Sequence, residues 1–317
     1  MSADGAALGA RLRERDLSAA PAALNLLESR TAADREQSAK LLAELSPAAL
    51  GGEAPGHVIG VTGPPGAGKS TLLSALLRAW RAQGRSVAIL AVDPSSRRSG
   101  GALLGDRARI DFDPADRGVL IRSTAAGERL GGLASATRAA AHALAAAFDV
   151  VVVETVGVGQ AETEIADVAD TVVVVVQPGS GDVLQFLKSG ITEIPDVLVV
   201  TKADLPAIAA RSMREVSAAL RSLGSSETPV LAVSSLSPTS GIEELVDALA
   251  EHRATLDLPA RRLQARRAGA LTDFVVEHGE RGLRTVGGRR AAETLLDEQQ
   301  PDLETPALMA VLERAMG

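Results

Sequence analysis

An α/β fold built on a mostly parallel, doubly wound sheet is what this sequence predicts, and three observations carry it. Short apolar runs recur between His57 and Val233. Helical periodicity fills the gaps between them. A glycine-rich turn, Gly63-Pro64-Pro65-Gly66-Ala67-Gly68-Lys69-Ser70-Thr71, joins the first run to the first of these helices. Strand, helix and strand repeated this way give a doubly wound sheet, with ligands at the strands' carboxyl ends. The glycine-rich turn lies at such an end.

Taken in order, residues 1–50 are rich in Ala and Leu, with helical spacing over Arg11–Arg15, Pro21–Ser29 and Ala32–Leu45. They predict two or three short helices; no heptad persists, so a coiled coil is disfavoured. Gly51-Gly52-Glu53-Ala54-Pro55-Gly56 reads as a linker by composition. Strands are expected at Val58–Val61, Val87–Val92, Val119–Ser123, Val150–Glu154, Thr171–Val176, Val197–Thr201 and Val230–Val233. Several runs are continuous rather than alternating, as strands buried on both faces require. Helices are expected near Ser70–Ala82, Gly132–Ala147, Leu184–Ser189, Ala207–Leu223 and Ile242–Glu251. Beyond Pro259 the strand signal stops, and residues 260–317 read as helical, broken by Gly279, Gly282 and Gly287-Gly288. The expected organisation is an N-terminal helical extension (1–55), a nucleotide-binding domain (56–256) and a C-terminal helical arm (257–317). The basic cluster Arg261, Arg262, Arg266 and Arg267 reads as a solvated helix face, or else as a contact with nucleotide or a partner.

Composition excludes several classes. With 317 residues the chain can bury a large core. Its longest candidate span, Thr171–Val176, is too short for a membrane, and no basic-then-apolar signal segment opens it. The absence of Cys rules out disulfides and thiolate metal sites and suits a reducing cytoplasm. His57, His142, His252 and His278 are scattered and read as surface or packing residues. A net charge of −7 and 2 % aromatics argue against a nucleic-acid partner.

The turn matches G-x-x-x-x-G-K-[ST] in the strand–loop–helix setting that gives the pattern meaning. Its amides can turn inward around phosphate oxygens, aided by the positive end of the following helix. Lys69 supplies a charge for the β- and γ-phosphates, and the Ser70 hydroxyl is placed to ligate Mg²⁺. The apolar strand Phe148–Val153 ends in Glu154, and Glu154-Thr155-Val156-Gly157 stands where GTPases carry Asp-x-x-Gly. The Gly157 amide would meet the γ-phosphate, so that its loss releases the following loop. Gln160 either orients the attacking water or is a loop amide without catalytic duty. Asp93, at another strand end, and Asp106 can approach the metal with Ser70 and Glu154; Asp106 alternatively caps a turn. In Thr201-Lys202-Ala203-Asp204 the Asp204 carboxylate can accept from guanine N1 and the 2-amino group, while the Lys202 stem stacks on the base. Adenine offers no such donor pair. Ser235-Leu236-Ser237 follows a strand where a backbone amide can meet guanine O6. The residues therefore predict Mg²⁺-dependent binding and hydrolysis of GTP to GDP.

Three stretches resemble the G-protein chaperones of cobalamin-dependent acyl-CoA mutases, the methylmalonyl-CoA mutase-associated GTPases, also labelled arginine/ornithine transport ATPases. They are Val92-Asp93-Pro94-Ser95-Ser96 with Gly100-Gly101 and Leu104-Gly105-Asp106, Val153 through Gln160, and Gln177 through Asp182 with Gln185, Lys188 and Gly190-Ile191. The resemblance spans roughly residues 20–260. It implies a cytoplasmic homodimer joined through the C-terminal helices, with slow intrinsic GTP hydrolysis used as a gate. It implies a mutase partner, methylmalonyl-CoA mutase or a relative, loaded with adenosylcobalamin under that gate, no cobalamin being held by this chain itself. Residue by residue it puts Gly63 to Thr71 on phosphates, Ser70, Asp93, Asp106 and Glu154 around Mg²⁺, Lys202 and Asp204 on guanine, and Ser235 to Ser237 over it. Asp182 and Lys188 would belong to an additional switch; Asp182 also reads as a helix cap. The chain departs from many relatives at Thr201, where they carry Asn, at Ser99 and Ala102, and in a C-terminal arm without aromatics after its Arg-rich helix.

Three other readings compete. A nickel-insertase-like GTPase should show Cys/His ligands, which this chain lacks. A small-molecule kinase would not need Lys202 and Asp204. A transport ATPase conflicts with Asp204.

Overall fold

The computed structural model describes residues 3–29, 31–93, 110–125, 133, 135–155, 164–179, 195–222 and 224–317, with residues 93 and 125 as backbone only. They divide into two compact units. One is formed by Met1–Gly56, Ser135–Ala147 and Asp257–Gly317, the other by His57–Ala134 and Phe148–Leu256.

The second unit holds a seven-stranded sheet: β1 (His57–Thr62), β2 (Val87–Asp93), β3 (Val119–Ala125), β4 (Val150–Thr155), β5 (Thr171–Val176), β6 (Val197–Val200) and β7 (Val230–Ala232). Its order is β3-β2-β4-β1-β5-β6-β7, with every pair parallel. The β-branched runs of β4 and β5 are buried along their whole length, because helices cover both faces. Leu72, Leu76 and Trp80 of helix Lys69–Ala82 and Leu245 and Leu249 of helix Ile242–Thr255 pack on one face, against Ile59, Val61, Val152 and Val173. Val216 and Leu220 of helix Pro206–Ser222 pack on the other, against Val174, Val176, Leu198 and Val200. The expected strands and these three helices are present with bounds shifted by a few residues. The helix expected at Leu184–Ser189 lies outside the described residues.

The amino ends of the strands are closed by polar side chains. The Thr171 hydroxyl lies 2.8 Å from both His57 Nε2 and His252 Nδ1, and His252 Nε2 lies 3.2 Å from Asp196. Asp170 and Asp196 accept the backbone N–H groups of Val58 and Val172, each at 2.8 Å. Groups that would be left without partners at buried strand starts are satisfied in this way.

The first unit is helical. The first helix is Gly5–Arg13, earlier than the spacing predicts, capped by Asp4, whose carboxylate accepts the Ala7 N–H. Its glycines count against helix on propensity, but a Cβ on Gly5 would lie 1.8 Å from Gln37 O, and one on Gly9 2.6 Å from Leu41 O. Close approach to helix Ala32–Ala43 therefore overrides propensity. Helix Ser135–Ala147 belongs to this unit rather than to the sheet unit, its alanines buried against the N-terminal helices. The C-terminal helices Leu258–Thr285, Arg289–Asp297 and Thr305–Ala315 bury Phe274, Leu283, Leu296, Leu308 and Leu312 between them.

The arginine cluster is not a solvated face. Arg262 and Arg266 are buried. Arg262 donates to Ala54 O at 2.6 Å and Gly56 O at 2.7 Å, and Arg266 forks onto Glu53 at 3.0 Å. Arg267 pairs with Asp297. The apparent linker 51–56 is thus tied down, because two of its carbonyls and the Glu53 carboxylate are acceptors that two buried guanidinium groups need. No helix among the described residues is long and apolar enough to cross a membrane.

His142, also in this unit, lies 3.2 Å from Glu304. Burial alone would push the imidazolium down, and Arg262 and Arg266 add to that. The charge and hydrogen bond of Glu304 outweigh them and hold the pKa above 6.5. A raised folded pKa contributes stability that is fully present below pH 6.5 and lost as pH rises through the folded value. Glu304→Gln should therefore lower the melting temperature by several degrees more at pH 6 than at pH 9. Equal losses at both, followed by scanning calorimetry, would remove the ion pair from the account.

Candidate functional site

Everything that the sequence marks for nucleotide and that the structure describes gathers at the carboxyl ends of β1, β4, β6 and β7. β1 ends at Thr62, the loop Gly63–Gly68 follows, and helix Lys69–Ala82 starts at once. Two glycines shape the turn. Gly63 (φ 147°) lies against β5 so closely that a Cβ would sit 2.0 Å from Val175 O. Gly68, left-handed at φ 92°, caps the helix without a side chain, leaving its first amides open toward the loop. Pro64, Pro65, Gly66 and Ala67 form the arch between them. The Lys69 ammonium, largely buried, donates to Gly63 O at 2.6 Å and Pro64 O at 3.2 Å, which holds its charge across the loop.

Ser70 and Thr71 open the helix. The Ser70 hydroxyl donates to Glu154 Oε1 at 3.4 Å, although the two are 84 residues apart. Glu154 is buried near the end of β4 and pairs in register with Val61 of β1. A hydroxyl and a carboxylate converging beside a phosphate-binding turn are hard oxygen donors of the kind Mg²⁺ takes, so the residues present fit that ion. Ser74 donates to Ser70 O and accepts the Asp111 N–H, each at 2.9 Å, fixing this first turn from behind. Asp93 ends β2, in register with Ala125, and only its backbone is described. Asp106, Gln160, Asp182 and Lys188 lie outside the described residues.

Lys202 turns the chain with φ 56° just past β6, and its ammonium donates to Gln177 Oε1 at 2.8 Å. Asp204 is exposed, and its Oδ1 accepts from Ser234 at 3.4 Å. Ser234 and Ser240 exchange backbone hydrogen bonds at 2.9 and 3.0 Å, closing the loop that carries Ser235, Leu236 and Ser237. Leu236 is 59 % exposed on it.

Thr201 joins the two halves. Its buried hydroxyl donates to Ala67 O at 2.7 Å, with Val176 O at 3.2 Å sharing the proton. The strand end that bears Lys202 and Asp204 is thereby hydrogen-bonded to the glycine-rich loop, and the departure from Asn leaves a side chain able to make that connection. Sequence reasoning missed this role, along with those of Gln177, Ser74 and Ser234; none has a local signal, since Thr201 and Ala67 are 134 residues apart. Among the described residues no group of three His, Cys, Asp or Glu side chains is placed to hold a metal ion.

A family model described as Methylmalonyl Co-A mutase-associated GTPase MeaB matches residues 19–281. The probable GTPase of Mycobacterium tuberculosis (strain H37Rv) is 40 % identical over 274 residues, covering 84 % of this chain and 80 % of that one. The mitochondrial methylmalonic aciduria type A homolog of Mus musculus is 42 % identical over 147 residues, 46 % of this chain and 35 % of that one. Among solved structures, an LAO/AO transport system kinase superposes with a TM-score of 0.64 at 26 % identity, covering 98 % of this chain and 96 % of that one. The chain belongs to the methylmalonyl-CoA mutase-associated GTPase family and is a GTPase.

Thr201→Val keeps the shape of the side chain and removes the bond to Ala67. A hydrogen bond worth about 1 kcal/mol corresponds to roughly five-fold weaker GTP binding, and Thr201→Ser should restore it. Titration with a fluorescent GTP analogue measures both; unchanged affinity in the valine variant would show that the connection does not matter for the nucleotide.

Proposed function

We propose that this member of the methylmalonyl-CoA mutase-associated GTPase family runs a Mg²⁺-dependent cycle of GTP binding and hydrolysis. The cycle gates adenosylcobalamin loading of a cobalamin-dependent acyl-CoA mutase, such as methylmalonyl-CoA mutase, and protects that enzyme. The observation that supports the reading is the Thr201 hydroxyl on Ala67, which ties the strand end bearing Lys202 and Asp204 to the turn bearing Lys69.

In this reading the Asp204 carboxylate accepts from guanine N1–H and the 2-amino group, and the Lys202 stem covers the base. The amides of Gly63 to Thr71 bind the β- and γ-phosphates, and the Lys69 ammonium leaves its loop carbonyls for phosphate oxygens. Ser70 and Glu154, joined by Asp93 and Asp106, would hold Mg²⁺, which when bound neutralises charge on the β- and γ-oxygens. Water attacks the γ-phosphorus, the bond to the β,γ-bridging oxygen breaks, and GDP and phosphate leave. Gln160 orients that water. Asp182 and Lys188 relay the partner's presence to the site. Family membership and the mouse relative's name support the mutase as partner. The reading also makes the chain a cytoplasmic homodimer joined through residues 257–317.

The test compares GTP with ATP turnover at matched Mg²⁺, with and without candidate acyl-CoA mutases. Slow GTP turnover that rises with one mutase is the expected result; a preference for ATP would overturn the base reading. Lys69→Ala should abolish hydrolysis and weaken GTP binding, on the order of a hundred-fold or more in turnover for loss of a charge aimed at the transition state. Near-normal turnover in that variant would sink the site assignment.

A further inference from the structure

We infer that a buried pair of threonine hydroxyls, Thr62 and Thr155, is a positioning device for GTP hydrolysis, and this rests on the site reading above. Thr155 Oγ1 donates to Thr62 Oγ1 at 2.9 Å, and both side chains are essentially inaccessible to solvent.

The pair's place in the sheet gives it this role. The main-chain register of β1 against β4 runs from His57↔Val150 to Val61↔Glu154. Thr62 and Thr155 stand one position further on, so the hydroxyl bond adds a side-chain rung beyond the last backbone pair. Successive side chains alternate between the faces of a strand. Glu154 therefore projects to the face where it meets Ser70, and Thr155 locks to Thr62 on the reverse face. Thr62 directly precedes Gly63, whose carbonyl accepts from Lys69. Thr155 directly follows Glu154. One hydrogen bond thus fixes the start of the phosphate loop against the carboxylate on the metal side.

The choice of residue points the same way. The rest of β4 before Glu154 is an unbroken valine run, and Val has the shape of Thr without its hydroxyl. Two buried hydroxyls joined by a hydrogen bond are worth little net stability against two methyl groups of the same shape, whereas one left without its partner is costly. Packing therefore gives no reason for this pair, and alignment of the loop and the carboxylate does. Neither residue touches the reacting atoms in this account; both act through Gly63 and Glu154.

The experiment is a double-mutant cycle in the full chain: Thr62→Val, Thr155→Val, the double variant, and Thr155→Ser. The readouts are melting temperature, GTP affinity, the Mg²⁺ concentration for half-maximal turnover, and kcat and KM. The single variants should be less stable, and the double variant should recover the parent's melting temperature. Its kcat should still fall on the order of ten-fold, as a small misalignment at a reacting centre does. Its half-saturating Mg²⁺ should rise, its KM should change less than about two-fold because ground-state contacts persist, and Thr155→Ser should keep the parent's turnover. A folded double variant with unchanged kcat and Mg²⁺ dependence overturns the inference. A double variant that does not fold overturns it as well, since the pair is then a structural requirement. If the unaltered chain itself hydrolyses no GTP, the site reading fails, and the inference resting on it falls for that separate and visible reason.

Discussion

The contact between the phosphate loop and the sheet's carboxyl edge is the constraint on which the site depends. Gly63 is pressed against the backbone of β5 and Ala67 is held from β6 by Thr201, so both ends of the arch are fixed to strands rather than to other loops. A loop that must present amides to an anion gains nothing from mobility, because every disordered amide has to be ordered again on binding. Here the ordering is done by folding.

That anchoring explains why the sheet is parallel and buried. β1 lies at the centre of the sheet, between β4 and β5. Three strand ends then deliver side chains to one edge: Glu154 from β4, Thr201 from just past β6, Ser234 from beyond β7. The opposite edge is given over to holding the strands together. There His57, Thr171, His252 and Asp196 satisfy one another, and Asp170 and Asp196 take up backbone amides. The chemistry-bearing and strand-capping ends of the sheet are separated by the length of the strands.

The helical unit follows a different logic. It is assembled from both ends of the chain and one helix from the middle, and charged groups sit inside it. Arg262 and Arg266 take backbone carbonyls and Glu53, Arg138 pairs with Asp273, and His142 pairs with Glu304. Burial pushes the Asp273 carboxyl up while Arg138 pulls it back down. Pairs like these are costly to bury and costlier to break.

The strands, the order of elements and the glycine-rich turn at Gly63–Thr71 were legible in the one-dimensional pattern. The signals behind them are local: unbroken valine runs, glycines at fixed offsets, a carboxylate at a strand end. What the pattern misjudged depends on residues far apart in the chain. Arg262 and Arg266 looked like a solvated face because nothing nearby shows that residues 53–56 fold back to receive them. The first helix starts at Gly5, earlier than the spacing predicts, because helix propensity does not register a neighbouring helix at contact distance. Thr201 looked like a departure from a motif, and only the superposition of β6 beside the phosphate turn shows its hydroxyl on Ala67. Sequence by itself determined which side chains stand in the glycine-rich turn and at the strand ends, since composition and spacing are properties of the chain. Tertiary structure decided which of them meet, because a hydrogen bond between residues 134 apart exists only once the sheet has brought two strand ends together.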